Sequence, residues 1–293
     1  MIAALVDRVV RSQRWLDPVG AYVQGLVGKL YEALGRLGRA LKNFLHGTWL
    51  GHALHPVITD VPLGAWTAAI VADLIGYTGR LRPEVGDYCV LVGVLASYAA
   101  LVTGYTDHHE TSGEERSVGI AHGLIMTTTI GLYTASWLLR WRGGGSVHDL
   151  AVLLSIVGYG LLISGAYLGG DLVYKLGTMV NRNAFIEGPK GFVRVGKPEE
   201  FAEGQMKRVE ADGIPILIVR HNGQLYAIAN TCAHAGAPLD EGELNGTIVT
   251  CPWHGSQFDI VSGQVKWGPA TFNQPSLTVR QTGDAVEVRL RTQ

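Results

Sequence analysis

The stretch that decides the fold of the C-terminal part is Cys232-Ala233-His234 and, after 16 intervening residues, Cys251-Pro252-Trp253-His254. Two such pairs can place two thiolates on one iron and two imidazoles on the other iron of a [2Fe-2S] centre. The same four side chains would also suit a tetrahedral zinc ion. The pattern therefore predicts a metal centre with Cys232, His234, Cys251 and His254 as ligands.

The composition divides the chain into two parts. Its 293 residues predict about two domains. Hydrophobic residues make up 47% and charged residues 17% of the chain, and the apolar excess lies between about residues 55 and 170. The net charge is −1, and no Lys/Arg cluster recurs with aromatic residues, so nucleic acid is not an expected partner. The third cysteine, Cys89, lies in an apolar run and is interpreted as a small buried hydrophobe, so no disulfide is expected.

The first segment, residues 1–45, shows helical amphipathicity. Apolar residues recur every three or four positions from Val23 to Leu45, and basic residues lie off that stripe. Beside a membrane domain, this pattern predicts a helix that lies in the membrane interface. A helix that binds a protein partner is the alternative.

Four apolar runs follow, at residues 57–77, 88–105, 120–141 and 150–169. Each is close to the ~20 residues that a helix needs to cross ~30 Å of hydrocarbon. The short connections predict antiparallel neighbours and an up-down bundle of four transmembrane helices. We expect this membrane domain at residues 46–180 and a linker at 181–191; a buried helical core in a soluble protein is the alternative.

Several ionisable residues fall near the ends of these runs. Four crossings place both ends of the bundle on one side, so these residues and the C-terminal domain are expected on the same side. Ionisable groups at membrane depth indicate function. They could bind haem b axially, hold a metal ion, bind a quinone or relay protons, or they could cap helix ends. The candidates are His52, His55, His108, His109, His122, Asp60 and Asp171.

Part of the membrane domain resembles a known family. The motif Gly51-His52-Ala53-Leu54-His55-Pro56 and the segment at 169–174 are similar to a bacterial family of four-helix membrane domains whose role is undefined. The resemblance implies four helices and brings no activity with it.

The chain changes character after residue 191. Short β-type runs are separated by turn pairs such as Asn222-Gly223 and Asn245-Gly246. They predict a small all-β domain at residues 192–293. The runs lie at residues 192–195, 206–209, 214–219, 225–228, 248–251, 258–260, 277–281 and 285–290.

The all-β region resembles the Rieske ferredoxin domain along its whole length. The resemblance rests on the segments 232–239 and 251–259 and on a later loop that begins at Gly268-Pro269. It implies a [2Fe-2S] cluster with Cys232 and Cys251 on the ferric iron and the two histidines on the outer iron. Further expected neighbours of the cluster are Ser256, Trp253 and Pro269.

Two departures from related branches matter for function, and the second, the loss of a tyrosine hydroxyl, lowers the expected potential. Ala237 and Trp253 stand where Rieske proteins of respiratory complexes carry a clamping disulfide, and Phe258 replaces a tyrosine. Because hydrogen bonds to the cluster raise its potential, we expect a value in the lower part of about −150 to +300 mV.

These patterns predict a membrane-anchored Rieske protein that passes single electrons between its cluster and a membrane-associated redox partner. One alternative is a quinone oxidoreductase with a second site in the bundle. Another is a membrane-tethered redox or iron sensor. Oxygenase activity in this chain alone is not expected, because no second domain supplies a mononuclear 2-His-1-carboxylate iron site.

Positive charge predicts the orientation in the cell membrane. The residues counted are Arg36, Arg39, Lys42, Arg116, Lys175 and Arg182 on the cluster side, against Arg80, Arg82, Arg140 and Arg142 on the other side. Since positive charge favours the cytoplasm, the multi-pass protein is expected to carry its Rieske domain inside. The first 45 residues show no secretory signal pattern, which agrees.

Overall fold

The computed structural model describes residues 8–143 and 145–291. The chain divides into two compact units. One contains the N-terminal helical region up to Leu41 together with Leu54–Thr178. The other combines Lys42–Ala53 with the chain from Met179 onward. The short segment before the first apolar helix is therefore part of the C-terminal unit, which the sequence pattern did not predict.

After a helical stretch at residues 8–11, the described part of the N-terminal segment contains two further helices, α1 (Leu16–Ala33) and α2 (Gly35–His46). The sequence pattern predicted one continuous helix here, and the break corrects it. Gly35 has a φ of 55°, a left-handed conformation that glycine adopts without a Cβ penalty. In the first unit, α1 packs Leu16 against Val118 of the apolar bundle.

Four long apolar helices confirm the predicted bundle. They are α3 (Leu54–Gly76), α4 (Glu84–His108), α5 (Gly113–Arg142) and α6 (Ser146–Asp171), which continues as a π-helical turn at Leu172–Leu176. All four are long and apolar enough to cross a membrane. Helix α5 begins before the apolar run that starts at residue 120, and its first turn contains the acidic residues Glu114 and Glu115. His122 therefore lies well inside α5 and does not open it.

The centre of the bundle is a pair of stacked aromatic rings. Trp66 of α3 and Tyr133 of α5 lie with ring centroids 3.9 Å apart and planes at 3°. Each ring rests on a glycine, Gly93 for Trp66 and Gly158 for Tyr133, at positions where a Cβ would collide with or crowd the ring. The missing side chains let neighbouring helices approach closely, as is common in membrane bundles.

A buried ion pair lies at one end of the bundle. Arg140 donates from Nη2 to Asp73 Oδ2 at 2.5 Å and from Nη1 to Asp87 Oδ1 at 2.9 Å. The Arg140 and Asp73 side chains are 1% and 2% exposed. In the sequence-based prediction of membrane orientation, Arg140 was counted as a positive charge at a helix end, and Asp73 was not identified as its partner. Removing one partner of such a pair leaves a buried charge without compensation, which is strongly destabilising.

We therefore expect Asp73→Asn to lower the free energy of unfolding of the bundle by roughly 3 kcal/mol, since Arg140 would keep only Asp87 as a carboxylate partner. Thermal melting of the helical circular dichroism signal in detergent measures the effect. Asp60→Asn is the matched control, because Asp60 is an exposed carboxylate on the same helix. Adding Arg140→Gln to Asp73→Asn should recover part of the loss. Equal melting temperatures for Asp73→Asn and Asp60→Asn would contradict this assignment.

The C-terminal unit contains two antiparallel sheets and confirms the predicted all-β class. The larger has the order β1-β10-β9-β4-β3-β2 and the smaller the order β5-β6-β7-β8. The three-residue strands β5 and β8 were not predicted, because so short a run carries no periodicity. The strands are β1 (Val193–Gly196), β2 (Met206–Ala211), β3 (Ile214–His221), β4 (Gln224–Ala229), β5 (Glu243–Asn245), β6 (Ile248–Thr250), β7 (Gln257–Asp259), β8 (Val265–Trp267), β9 (Ser276–Thr282) and β10 (Ala285–Leu290).

Candidate metal centre

The two ligand motifs fold into loops with the same backbone pattern. In the first loop, Cys232 N donates to Ala237 O at 2.8 Å and Gly236 N donates to Cys232 O at 2.9 Å. In the second, Cys251 N donates to Ser256 O at 2.8 Å and Gly255 N donates to Cys251 O at 3.1 Å. Both glycines have positive φ, 89° and 72°, which tightens each loop around its cysteine.

The two thiols meet in the core of the domain. Cys232 is 1% and Cys251 3% exposed, and the thiols are hydrogen-bonded to each other. The bond donated by Cys232 lowers the pKa of Cys251, and the same bond, together with burial, raises the pKa of Cys232.

Backbone N–H groups surround both sulfurs. Those of His234 and Ala235 donate to the Cys232 thiol, and those of Trp253 and His254 donate to the Cys251 thiol. Hydrogen bonds to the charged form stabilise a thiolate. These hydrogen bonds offset part of the cost of a buried negative charge on each sulfur.

The two imidazoles lie closer to the surface than the thiols. The His234 and His254 rings have centroids 4.9 Å apart and planes at 87°. His254 is partly exposed, and the neighbouring Trp253 is 57% exposed. The site thus has a buried sulfur end and an imidazole end at which His234 is buried and His254 is partly exposed.

The arrangement fits a two-iron cluster better than a zinc ion. A structural zinc site brings four donors to one point. Within residues 8–143 and 145–291, no group of three or more His, Cys, Asp or Glu side chains is placed to hold a single ion. Two thiols paired at one end and two imidazoles at the other match the donor set of a Rieske [2Fe-2S] centre.

The loop after β8 lies against the second ligand loop. The hydroxyl oxygen of Ser256, which is fully buried, accepts a hydrogen bond from Ala270 N at 2.9 Å. The peptide bond before Pro269 is cis. Asn43 Oδ1, from the segment that precedes the apolar helices, accepts from Gly268 N at 2.7 Å. No sequence signal identified Asn43, because the contact joins positions far apart in the chain.

A buried glutamine joins the same loop to the first ligand loop. Gln274 is 3% exposed and donates to Ala229 O at 2.9 Å and to Thr231 O at 2.8 Å. Its Oε1 accepts from Ala233 N, between two predicted ligands, at 2.9 Å. Asn183 Nδ2 donates to the same oxygen at 2.9 Å. Sequence reasoning missed Gln274, because a lone glutamine in a loop carries no motif.

Replacing Gln274 by leucine should remove the partner of Ala233 N and of Ala229 O and leave Thr231 O with only Asn183 Nδ2 as a donor. We expect the variant to lose roughly 2–3 kcal/mol of domain stability and to release its cluster faster on heating. Decay of the visible absorption of the oxidised protein measures this loss. Gln264→Leu is the control, because Gln264 is exposed. Indistinguishable decay rates for the two variants would show that Gln274 does not hold the ligand loop.

The structure brings together some of the predicted membrane-site residues and separates others. His55 and His122 are neighbours, with ring centroids 6.3 Å apart. His52 precedes α3 in the C-terminal unit, is exposed, and its Nδ1 lies 3.1 Å from Ala53 O. It therefore does not share a helical face with His55, as the spacing had suggested.

The remaining candidates lie around the helix ends of the first unit. The Nδ1 of His108 lies 3.2 Å from the Thr111 hydroxyl, and that of His109 lies 2.8 Å from Glu110 Oε1. Asp60 is exposed on α3, and Asp171 is partly buried at the end of α6.

Comparison with known proteins finds a matching family for each of the two parts of the chain. Residues 191–279 match the Rieske [2Fe-2S] domain, and residues 51–182 match a predicted membrane protein family, DUF2231. The ferredoxin component of biphenyl 2,3-dioxygenase from Rhodococcus jostii (strain RHA1) is 35% identical over 91 residues, which cover 31% of this chain and 85% of that protein.

Two further matches fall on the same domain. Mouse apoptosis-inducing factor 3 is 32% identical over 103 residues, 32% of this chain, and the match spans only 17% of that protein's length. The solved ferredoxin of carbazole 1,9a-dioxygenase from Nocardioides aromaticivorans IC177 is 28% identical over 35% of this chain and 98% of its own, with a TM-score of 0.32.

An all-β domain with paired Cys-x-His and Cys-x-x-His loops is an iron-sulfur protein of the Rieske class. The chain belongs to the Rieske [2Fe-2S] family and carries, before that domain, a DUF2231 membrane domain. Its four apolar helices and the DUF2231 match indicate that it is a membrane protein.

Proposed function

We propose that the chain is a membrane-anchored electron-transfer protein that passes single electrons between a [2Fe-2S] cluster and a membrane-associated redox partner. The observation that carries the proposal is the paired loops, which present two buried thiols at one end and two imidazoles at the other. When bound, the cluster supplies one-electron oxidation and reduction. We assign its ligands as Cys232, Cys251, His234 and His254.

The protein's own residues would hold the cluster and set its environment. Four backbone N–H groups stabilise the thiolates of Cys232 and Cys251. The Ser256 oxygen accepts from Ala270 N, and we propose that its own O–H donates to the cluster. Such a donor raises the potential of a Rieske centre. The partly exposed His254 provides the side from which a partner would approach.

The relatives support an electron carrier. The Rhodococcus protein is the ferredoxin component of a dioxygenase system. Among its described residues, this chain has no further domain beside the membrane helices and the Rieske domain. A ferredoxin fused to transmembrane helices would stay at the membrane surface, where its local concentration near a membrane-held partner is high. We therefore propose that the redox partner lies in or at the membrane.

The partner is expected to dock on the ligand-loop surface through Trp253. This ring is 57% exposed, and its centroid lies 6.4 Å from that of His254. Exposed tryptophans are frequent energetic anchors of interfaces. Trp253→Ala should slow electron transfer to native membranes by roughly tenfold and leave the reduction potential unchanged.

Freeze-quench EPR of the reduced full-length protein, mixed anaerobically with those membranes, measures the rate of reoxidation. Phe185→Ala is the control, since Phe185 is a 94% exposed aromatic residue of the same unit outside both ligand loops. Equal rates in the two variants would remove Trp253 from the docking surface. A wild-type protein that is fully reduced and never reoxidised by membranes would favour a sensor and contradict the electron-carrier proposal.

We also propose that the Rieske domain faces the cytoplasm. The excess of Lys and Arg near the helix ends on the cluster side supports this. A fluorescent reporter fused to the C-terminus should be bright, and a periplasmic phosphatase fused there should be inactive. The reverse pattern would show that the domain is outside.

A further inference from the structure

The two helical hairpins of the membrane bundle carry matching residues at matching spacings. In α3 and α5, Trp66 follows His55 by the same number of residues as Tyr133 follows His122. Asp73 likewise follows Trp66 by the same number of residues as Arg140 follows Tyr133. Between these positions the two helices share identical residues. These are Gly64 with Gly131, Thr67 with Thr134 and Ala68 with Ala135.

Each matching pair is also a contact pair. The His55 and His122 rings lie 6.3 Å apart, and the Trp66 and Tyr133 rings are stacked at 3.9 Å. The third pair is the buried ion pair between Asp73 and Arg140. Equivalent residues that touch at three levels indicate an approximate two-fold axis along the bundle, between α3 and α5. The histidine pair lies on this axis at the end opposite the ion pair.

Both histidines are oriented in the same way by the partner helix of their hairpin. The Nδ1 of His55 lies 2.8 Å from Ala100 O of α4, and the Nδ1 of His122 lies 2.8 Å from Gly165 O of α6. A carbonyl oxygen only accepts, so Nδ1 carries the proton in both rings. This leaves Nε2 of both rings as a lone-pair donor, which is the arrangement that second-shell partners impose on metal-binding imidazoles.

A glycine lies against each ring at an equivalent position, and at Gly104 a side chain would collide with the ring. A Cβ at Gly104 would lie 2.7 Å from Cε1 of His55, and one at Gly169 would lie 3.4 Å from Cε1 of His122. Each glycine follows the carbonyl that orients the ring, Ala100 or Gly165, by one helical turn. In both hairpins, therefore, the second helix fixes the histidine ring with a backbone carbonyl and a glycine one turn later.

We propose that His55 and His122 bind one haem b, with the Nε2 atoms as its two axial ligands. A mononuclear ion would need further protein donors, and the part of the chain that the structure describes places no three His, Cys, Asp or Glu side chains for one. Haem supplies its own four equatorial nitrogens, so two imidazoles on facing helices suffice. The sequence has no Cys-x-x-Cys-His motif for covalent attachment, so a non-covalently bound haem such as haem b is proposed.

The spacing and the tautomer both favour haem. Metal–imidazole bonds of about 2 Å, with roughly 1 Å from each nitrogen to its ring centre, separate two axial ring centres by about 6 Å. The observed separation is 6.3 Å. A quinone carbonyl would need a donor from the protein, but both Nδ1–H groups are already bonded to backbone carbonyls. The proposal does not depend on the function assigned to the Rieske domain.

The test is the haem content of the full-length protein, expressed with 5-aminolevulinate and purified in detergent. The pyridine haemochrome assay should give about one haem b per chain, and His55→Ala or His122→Ala should lower it at least tenfold. His52→Ala is the matched control, because His52 is exposed and only three positions away. It should keep the wild-type haem content. Imidazole added to His55→Gly should restore part of the absorption, which a merely structural role would not allow.

Two further measurements keep the outcomes distinct. Cys232→Ser should abolish the Rieske EPR signal and leave the haem in place, so failure of either proposal can be recognised separately. A monodisperse wild-type protein with an intact Rieske signal that takes up no haem on titration with haemin would overturn the proposal. Co-purification of quinone in place of haem would do the same. Full haem retention in both His55→Ala and His122→Ala would also overturn it.

Discussion

The hydrogen bonds that backbone N–H groups donate to two buried thiols are the interaction on which the C-terminal domain depends. Cys232 and Cys251 belong to its hydrophobic core, where an isolated negative charge would be costly. Four N–H groups, two from each loop, offset that cost. The tight turns at Gly236 and Gly255 aim those groups inward, and Ser256 and Gln274 fix the loops to their neighbours.

The membrane bundle also contains buried polar side chains, and several of these have a partner within the protein. In hydrocarbon, polar groups need partners within the protein. Arg140 is matched by two carboxylates and each of two histidines by a backbone carbonyl. These groups lie at equivalent positions of the two helical hairpins, so both hairpins satisfy their polar side chains in the same way. We interpret the bundle as a pseudo-symmetric scaffold with an ion pair at one end and an imidazole pair at the other.

Sequence patterns predicted the features that depend on local spacing. The two ligand motifs, the four apolar runs and the change to short strands after residue 191 all carry such signals, and the fold class is confirmed. Features that depend on long-range contacts carried no signal. Asn43, Asp73 and Gln274 each act through a partner distant in sequence. The break at Gly35 was also missed, because the apolar stripe continues across it.

The central claim is that the paired loops hold a Rieske cluster in a membrane-anchored carrier. Low-temperature EPR of the dithionite-reduced, detergent-purified full-length protein, with iron and zinc analysis of the same sample, tests it most directly. The account predicts a Rieske spectrum and about two irons per chain, both lost in Cys251→Ser and retained in Cys89→Ser. One zinc per chain with no iron-sulfur spectrum would contradict it.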